Sequence, residues 1–151
     1  MPDPANSEPA RRYRRGRLSG MENRVMTALT RAGLIPYSYL LTTRGRRTGR
    51  PRHNPVLLVD HDERQWLVAP YGAVGWVHNA RAAGRVTLTR RRRSRDYAIR
   101  EVSADEAGPV LRHYLEIASA TREYFRAERG DPVERFVAEA GQHPVFELTP
   151  L

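Results

Sequence analysis

From Met21 to Ala32 the apolar residues Met21, Val25, Met26, Leu29 and Ala32 recur at helical spacing, and Gly33 stands where such a helix would stop. The period then changes. Tyr37–Thr43 reads as a strand running into the turn-rich segment RGRRTGRPR. Asn54–Asp60 and Gln65–Ala69 are β-rich runs joined by the polar stretch HDER, which is a hairpin signal. After PYGAVG a short helix is expected over Trp76–Ala83, ended by Gly84. Val86–Thr89 and Tyr97–Val102 predict a second hairpin across RRRRSRD, with its arginines in the turn and on strand ends, where they stay solvated.

Beyond that hairpin the helical period returns. Ser103 with Glu106 three residues on is a capping box, and Val110, Leu111, Tyr114, Leu115 and Ala118 supply the apolar stripe of the helix behind it. A further helical piece is expected over Thr121–Arg129, stopping near Gly130. Asp131 as N-cap, Pro132 at the first helical position and Glu134 at the third predict another helix ending before Gly141. Pro144–Thr149 reads as a closing strand. Five or six strands, arranged mostly as hairpins with helices at the start, in one connection and in a late cluster, do not alternate as βαβ units. The order argues against a Rossmann fold and for an antiparallel barrel or sheet with appended helices. The last strand must pair with earlier ones, and closure would remove its edge.

The chain has 151 residues, 40% of them hydrophobic, enough for one compact domain with a core of its own and hardly enough for two domains. Residues 1–19 carry Pro2, Pro4 and Pro9 among charged and small neighbours, which predicts a disordered basic tail ahead of a single domain over 20–151. Net charge is +9, and all 26 basic residues are arginine. Fifteen of them fall in three strips, Arg11–Arg17, Arg44–Arg52 and Arg90–Arg95; the remaining 11 face 17 acidic residues, so the body is mildly acidic. Nucleic acid, a membrane surface or a multiply anionic small ligand would each suit such strips, and so would plain solvation. With no cysteine, disulfides, thiol nucleophiles and Cys-based zinc sites are excluded. The five histidines show no paired metal spacing, no GxSxG surrounds a serine, and neither GxGxxG nor GxxxxGK[ST] is present, so no metal site is expected and a borrowed cofactor would carry any difficult chemistry. No signal-like or membrane-spanning run is visible, and a cytoplasmic protein is the expectation.

The informative segment is TTRGRRTGRPRHNP, Thr42–Pro55. Gly45 and Gly49 permit a tight loop whose successive amides can converge on an anion, Arg46, Arg47 and Arg52 can neutralise it with forked contacts, and Thr48 adds a hydroxyl. The same residues suit a solvated turn. Downstream, Ala69-Pro70-Tyr71-Gly72 ends a buried-looking strand in a kink, and a helix start beside Gly75 is a second anion-friendly feature. Tyr71 and Trp76 offer flat apolar surface to an aromatic ring, and each fits core packing equally.

The runs LLTTRGRRTGRPRHNPV and VAPYGAVGWVHNARAAGRVTLTR, with TREYF and the terminal HPVFELTP, resemble the deazaflavin-dependent nitroreductase and quinone reductase family of high-GC bacteria over roughly residues 21–150. The resemblance implies a split β-barrel, an α+β and mainly β fold with an N-terminal helix and a late helical cluster. It also implies coenzyme F-420, an 8-hydroxy-5-deazaflavin, in place of FMN. In that family the loop matching Arg46, Arg47, Thr48 and Gly49, together with Arg52, holds the cofactor's phosphate and the start of its polyglutamate tail. Asn54, Pro55 and Val56 match the strand beneath the deazaflavin ring. Ala69, Pro70, Tyr71 and Gly72, with Gly75, Trp76 and Val77, match the opposite wall. Pro70 and Tyr71 depart from the small polar and basic residues that other members carry there.

The activity implied is hydride transfer from the reduced cofactor to an electron-poor acceptor such as a quinone, an enone or a nitro compound. In related reductases a tyrosine of the late helical region faces the substrate, which points to Tyr124 as the catalytic residue, with Tyr114 behind it. The alternatives are an FMN-dependent oxidoreductase, a non-catalytic cofactor- or lipid-binding split barrel, and a nucleic-acid-binding protein, for which no recognition helix and no interleaved aromatics speak. The partners expected are a hydrophobic small-molecule acceptor, no specific nucleic acid, and an anionic membrane surface touched by the basic N-terminus. The resemblance leaves monomer and homodimer open.

Overall fold

The structure is a computed structural model and describes residues 37–151. The helix expected over Met21–Ala32, the tail of residues 1–19 and the domain boundary at 20 lie outside the described residues. Six strands, β1 (Ser38–Arg44), β2 (Pro51–His61), β3 (Arg64–Val68), β4 (Arg85–Arg90), β5 (Arg93–Glu101) and β6 (Val145–Pro150), form a closed barrel in the order β1-β2-β3-β6-β5-β4. Every neighbouring pair is antiparallel. The late strand β6 inserts between β3 and β5, so both of its edges are paired, the closure expected from the strand order.

Strand alternation sorts the apolar residues into two cores. Leu41, Leu58, Leu67, Leu88, Tyr97 and Phe146 fill the barrel, joined by Trp76, Val77 and Ala80 from α1 (Gly75–Ala83). The alternate residues Val59, Trp66, Val68 and Val145 face outward from β2, β3 and β6. There they meet α2 (Ala104–Ile117), a 3-10 turn (Ser119–Tyr124) and α3 (Val133–Glu139). The whole predicted stripe of α2, Val110 to Ala118, is buried in this outer core. α2 and α3 approach closely at Gly108, where a Cβ would lie 2.5 Å from Val137 Cγ2.

Several local expectations need correction. The β2–β3 and β4–β5 connections are two-residue turns with left-handed backbone at both centres, Asp62–Glu63 and Arg91–Arg92, the hairpin geometry that normally selects Gly or Asn. Both expected hairpins form, and only their turns are shorter than the polar stretches suggested, with pairing that continues to His61–Arg64 and Arg90–Arg93. Thr121–Arg129 is not one helix: the 3-10 turn ends at Tyr124, because Phe125 and Ala127 turn into the core and the Arg126 and Ala127 amides donate to the Glu139 carboxylate. Asp131 does not cap α3, since its carboxylate accepts from the Glu128 amide at 2.7 Å, and Pro132 precedes the helix in extended conformation. Half of the capping box forms. Ser103 Oγ accepts the Glu106 amide at 3.4 Å, while the Glu106 carboxylate pairs with Arg100 at 2.8 Å. Among the described residues no helix is long and apolar enough to cross a membrane.

Candidate functional site

The loop between β1 and β2 is built by its own backbone. The Gly45 amide donates to Arg50 O and the Gly49 amide to Gly45 O, both at 2.8 Å, and Thr48 Oγ1 accepts from the Arg50 amide. A Cβ on Gly45 would sit 3.0 Å from Arg50 O and from Thr48 Oγ1, and Gly49 has φ +71°, so both glycines are required by the bend itself. These amides are thereby used inside the loop. The Gly45, Gly49 and Arg50 amides are therefore not the ones that could turn to an anion.

Arg46 is held from outside the loop. Its amide and its Nη1 both donate to Asn79 Oδ1, at 3.1 and 3.0 Å, and Asn79 Nδ2 donates to Thr43 Oγ1. Asn79 is buried on the inner face of α1, one helical turn beyond Gly75. No side chain caps the start of α1, and no acidic residue lies in its first turn. The fold thus brings the arginine loop beside a helix N-terminus, two features favourable to an anion. Arg46, Arg47, Arg50 and Arg52 are exposed, and none of them pairs with a carboxylate among the described residues. The Arg90–Arg95 strip lies elsewhere. Arg90 Nη1 donates to Ser38 O at the opposite end of β1, roughly 20 Å away by strand rise. It therefore adds nothing to a cradle at residues 44–52.

Asn54, Pro55 and Val56 pair with Leu41, Leu40 and Tyr39 of β1. Val56 packs with the barrel interior and Asn54 shares its face, whereas Pro55 lies on the other face of the strand. Across the site the Ala69–Val74 segment turns tightly, with the Gly72 amide donating to Ala69 O and the Val74 amide to Gly72 O. Gly72 has φ +89°. Ala69, Trp76 and Val77 are core residues, and Trp76 lies against Phe146, so their side chains are committed to packing. Tyr71 is 39% exposed, and its ring meets that of Tyr124 edge to face at 4.7 Å. The Ala69–Val74 segment and the late helical region thus touch through Tyr71 and Tyr124. Tyr114 is different: it is buried, its hydroxyl bonds Thr121 Oγ1 at 3.0 Å, and burial pushes its phenol above the ordinary range.

Three polar residues, Asn79, Glu139 and His143, escape sequence reasoning. Asn79, the anchor of Arg46, shows only as a polar residue on the apolar face of α1. His143 and Glu139, spaced as i and i+4, are both buried and bonded to one another at 3.0 Å, and His143 Nδ1 reaches Pro70 O at 2.9 Å. A surface concavity of about 780 Å³ lies elsewhere, between the β2–β3 turn and β6, and shares no residue with this site.

Residues 13–139 match the family model of the F420H2-dependent quinone reductases. Among solved structures, an F420-H2 dependent reductase is 19% identical with a TM-score of 0.51, over 76% of this chain and 95% of its own. A protein described as a domain-swapped dimer is 20% identical with a TM-score of 0.56, over 87% of this chain and 96% of its own. A conserved hypothetical protein of Mycobacterium tuberculosis is 12% identical with a TM-score of 0.53, over 93% and 85%. At these identities the likeness is one of fold.

Proposed function

The chain belongs to the F420H2-dependent quinone reductase family, and from that premise we propose that its arginine loop holds the phosphate and acidic tail of coenzyme F-420 while an electron-poor acceptor binds beside Tyr124. It is an oxidoreductase of the deazaflavin class. Bound at this site, the reduced coenzyme supplies a hydride for two-electron reduction of a quinone, an enone or a nitro compound. The chain's own residues bind, orient and shield. Arg46 and Arg47 meet the anionic handle, with Thr48, Gly49 and Arg52 completing the loop. The face of β2 carrying Asn54 and Val56, with Pro55 behind it, would hold one side of the flat ring. Ala69, Pro70, Tyr71, Gly72 and the start of α1 at Gly75, Trp76 and Val77 would hold the other. Tyr124, half-buried and in contact with Tyr71, offers a hydroxyl where charge develops on the acceptor.

The observation that carries this reading is the pair of hydrogen bonds from Arg46 to Asn79, which seats against α1, one turn from its uncapped start, a loop whose exposed arginines meet no carboxylate among the described residues. Titration with oxidised coenzyme F-420 is expected to change its fluorescence at micromolar concentration. At a hundredfold excess over Kd it should stabilise the fold by about 2.7 kcal/mol. FMN at equal concentration should leave the thermal midpoint unmoved. Stabilisation by FMN with none by F-420 would reassign the site to a flavin.

A further inference from the structure

We propose that His143 is a positioning residue: its Nδ1–H holds the Pro70 carbonyl and so fixes the Tyr71 wall of the site against the segment that carries Tyr124. The inference rests on the reading of Ala69–Gly72 as a cofactor wall. A carbonyl oxygen only accepts, so the 2.9 Å contact to Pro70 O places a hydrogen on Nδ1. The other ring nitrogen faces Glu139 Oε1 at 3.0 Å. The same carboxylate accepts the Arg126 and Ala127 amides at 3.1 and 3.0 Å. Those two residues follow Phe125 and Tyr124 in the chain. The Phe125 ring lies flat on the imidazole, 3.9 Å between centroids and 20° from parallel.

One buried ring therefore joins two parts of the site that are far apart in sequence. On its Nδ1 side is the loop whose Tyr71 borders the cofactor; on its Nε2 side is Glu139, which clamps the backbone just after Tyr124. The Ala69 amide donates to Pro144 O at 2.8 Å, so the wall is tied to the His143 segment at its start as well. Beyond that point the Gly72 and Val74 amides bond within the loop itself. The imidazole tie at Pro70 thus sets where the exposed Tyr71 stands relative to Tyr124, and a loop without it would keep its place in the barrel but lose its angle to the site.

Two near-isosteric variants separate this role from general support of the core. Asparagine at the position keeps a donor where Nδ1 is, toward Pro70; glutamine keeps one where Nε2 is, toward Glu139. Both His143→Asn and His143→Gln lose one buried bond, and similar drops in thermal midpoint are expected. In the cofactor-free chain, His143→Gln should speed amide hydrogen exchange at Gly72 and Val74 at least tenfold, while His143→Asn stays within threefold of the parent. Glu139→Gln, whose amide can donate to Nε2 and leave Nδ1–H on Pro70, should behave as His143→Asn does. Coenzyme F-420 affinity should follow the same split, tenfold weaker for His143→Gln and nearly unchanged for the other two. Equal exchange at Gly72 in His143→Asn and His143→Gln, or fast exchange in Glu139→Gln, overturns the proposal. Failure of the parent chain to bind F-420 would instead remove the cofactor reading, and the exchange comparison would still decide whether His143 positions the wall.

Discussion

Alanine at both Arg46 and Arg47 is expected to weaken binding of intact coenzyme F-420 about 100-fold, against at most about threefold for a deazaflavin fragment lacking phosphate and tail. A charge-assisted hydrogen bond contributes roughly 1.5–3 kcal/mol, and losing about 2.7 kcal/mol in all corresponds to that factor. The double variant is a clean test because the Arg46 amide, which alanine retains, still donates to Asn79 Oδ1, so the loop keeps its seat on α1. Arg46→Lys should recover little. A lysine ammonium cannot span Asn79 and a ligand oxygen with the planar fork that guanidinium offers. Affinity should also fall with salt in the parent and less steeply in the double variant, since exposed arginines are screened over about 10 Å at 0.1 M. Equal losses for cofactor and fragment would mean that the two arginines act through the fold rather than on the anion.

Phe136→Ala should cost about 3–5 kcal/mol of stability, the range for a fully buried phenylalanine whose cavity cannot collapse. Phe136 has no exposed surface and sits on α3 within the outer core, where α2 and α3 are already in close contact at Gly108. Nothing in that contact leaves room for the helices to slide together over the hole. For a chain of this size the thermal midpoint should fall by roughly 10 °C or more, and denaturant titration would give the free energy directly. A cost below about 1 kcal/mol would show that the helical layer does not pack on β2, β3 and β6 as described.

Strand and helix periodicity made most of the barrel legible before any coordinates. The β-rich runs Asn54–Asp60 and Gln65–Ala69 were legible because their strands pack on both faces, inward on the barrel and outward on the helices, and the stripe from Val110 to Ala118 because α2 buries one face. Places where a distant partner decides the local outcome were not legible. Tyr124 ends its turn because Glu139 captures the amides after it. Asp131 closes a loop through the Glu128 amide instead of capping a helix. The two hairpin turns carry Asp-Glu and Arg-Arg at left-handed positions where glycine would have announced them.

The candidate site divides in the same way. Gly45 and Gly49 signalled a bend, and the bend exists because each glycine is sterically required. The Arg90–Arg95 strip falls at the β4–β5 turn and the strand ends beside it, as its place in the expected hairpin implied, at the far end of β1 from the arginine loop. Asn79 and His143 join segments 33 and 73 residues apart, separations at which no local spacing rule operates.

The most direct test is a crystal structure of the chain with coenzyme F-420 bound. The account predicts phosphate oxygens within hydrogen-bond distance of the Arg46 and Arg47 guanidinium groups, with the deazaflavin ring between the Asn54–Val56 strand and the Ala69–Gly72 wall. A complex in which the 44–52 loop faces bulk solvent with no anionic group beside it would contradict it.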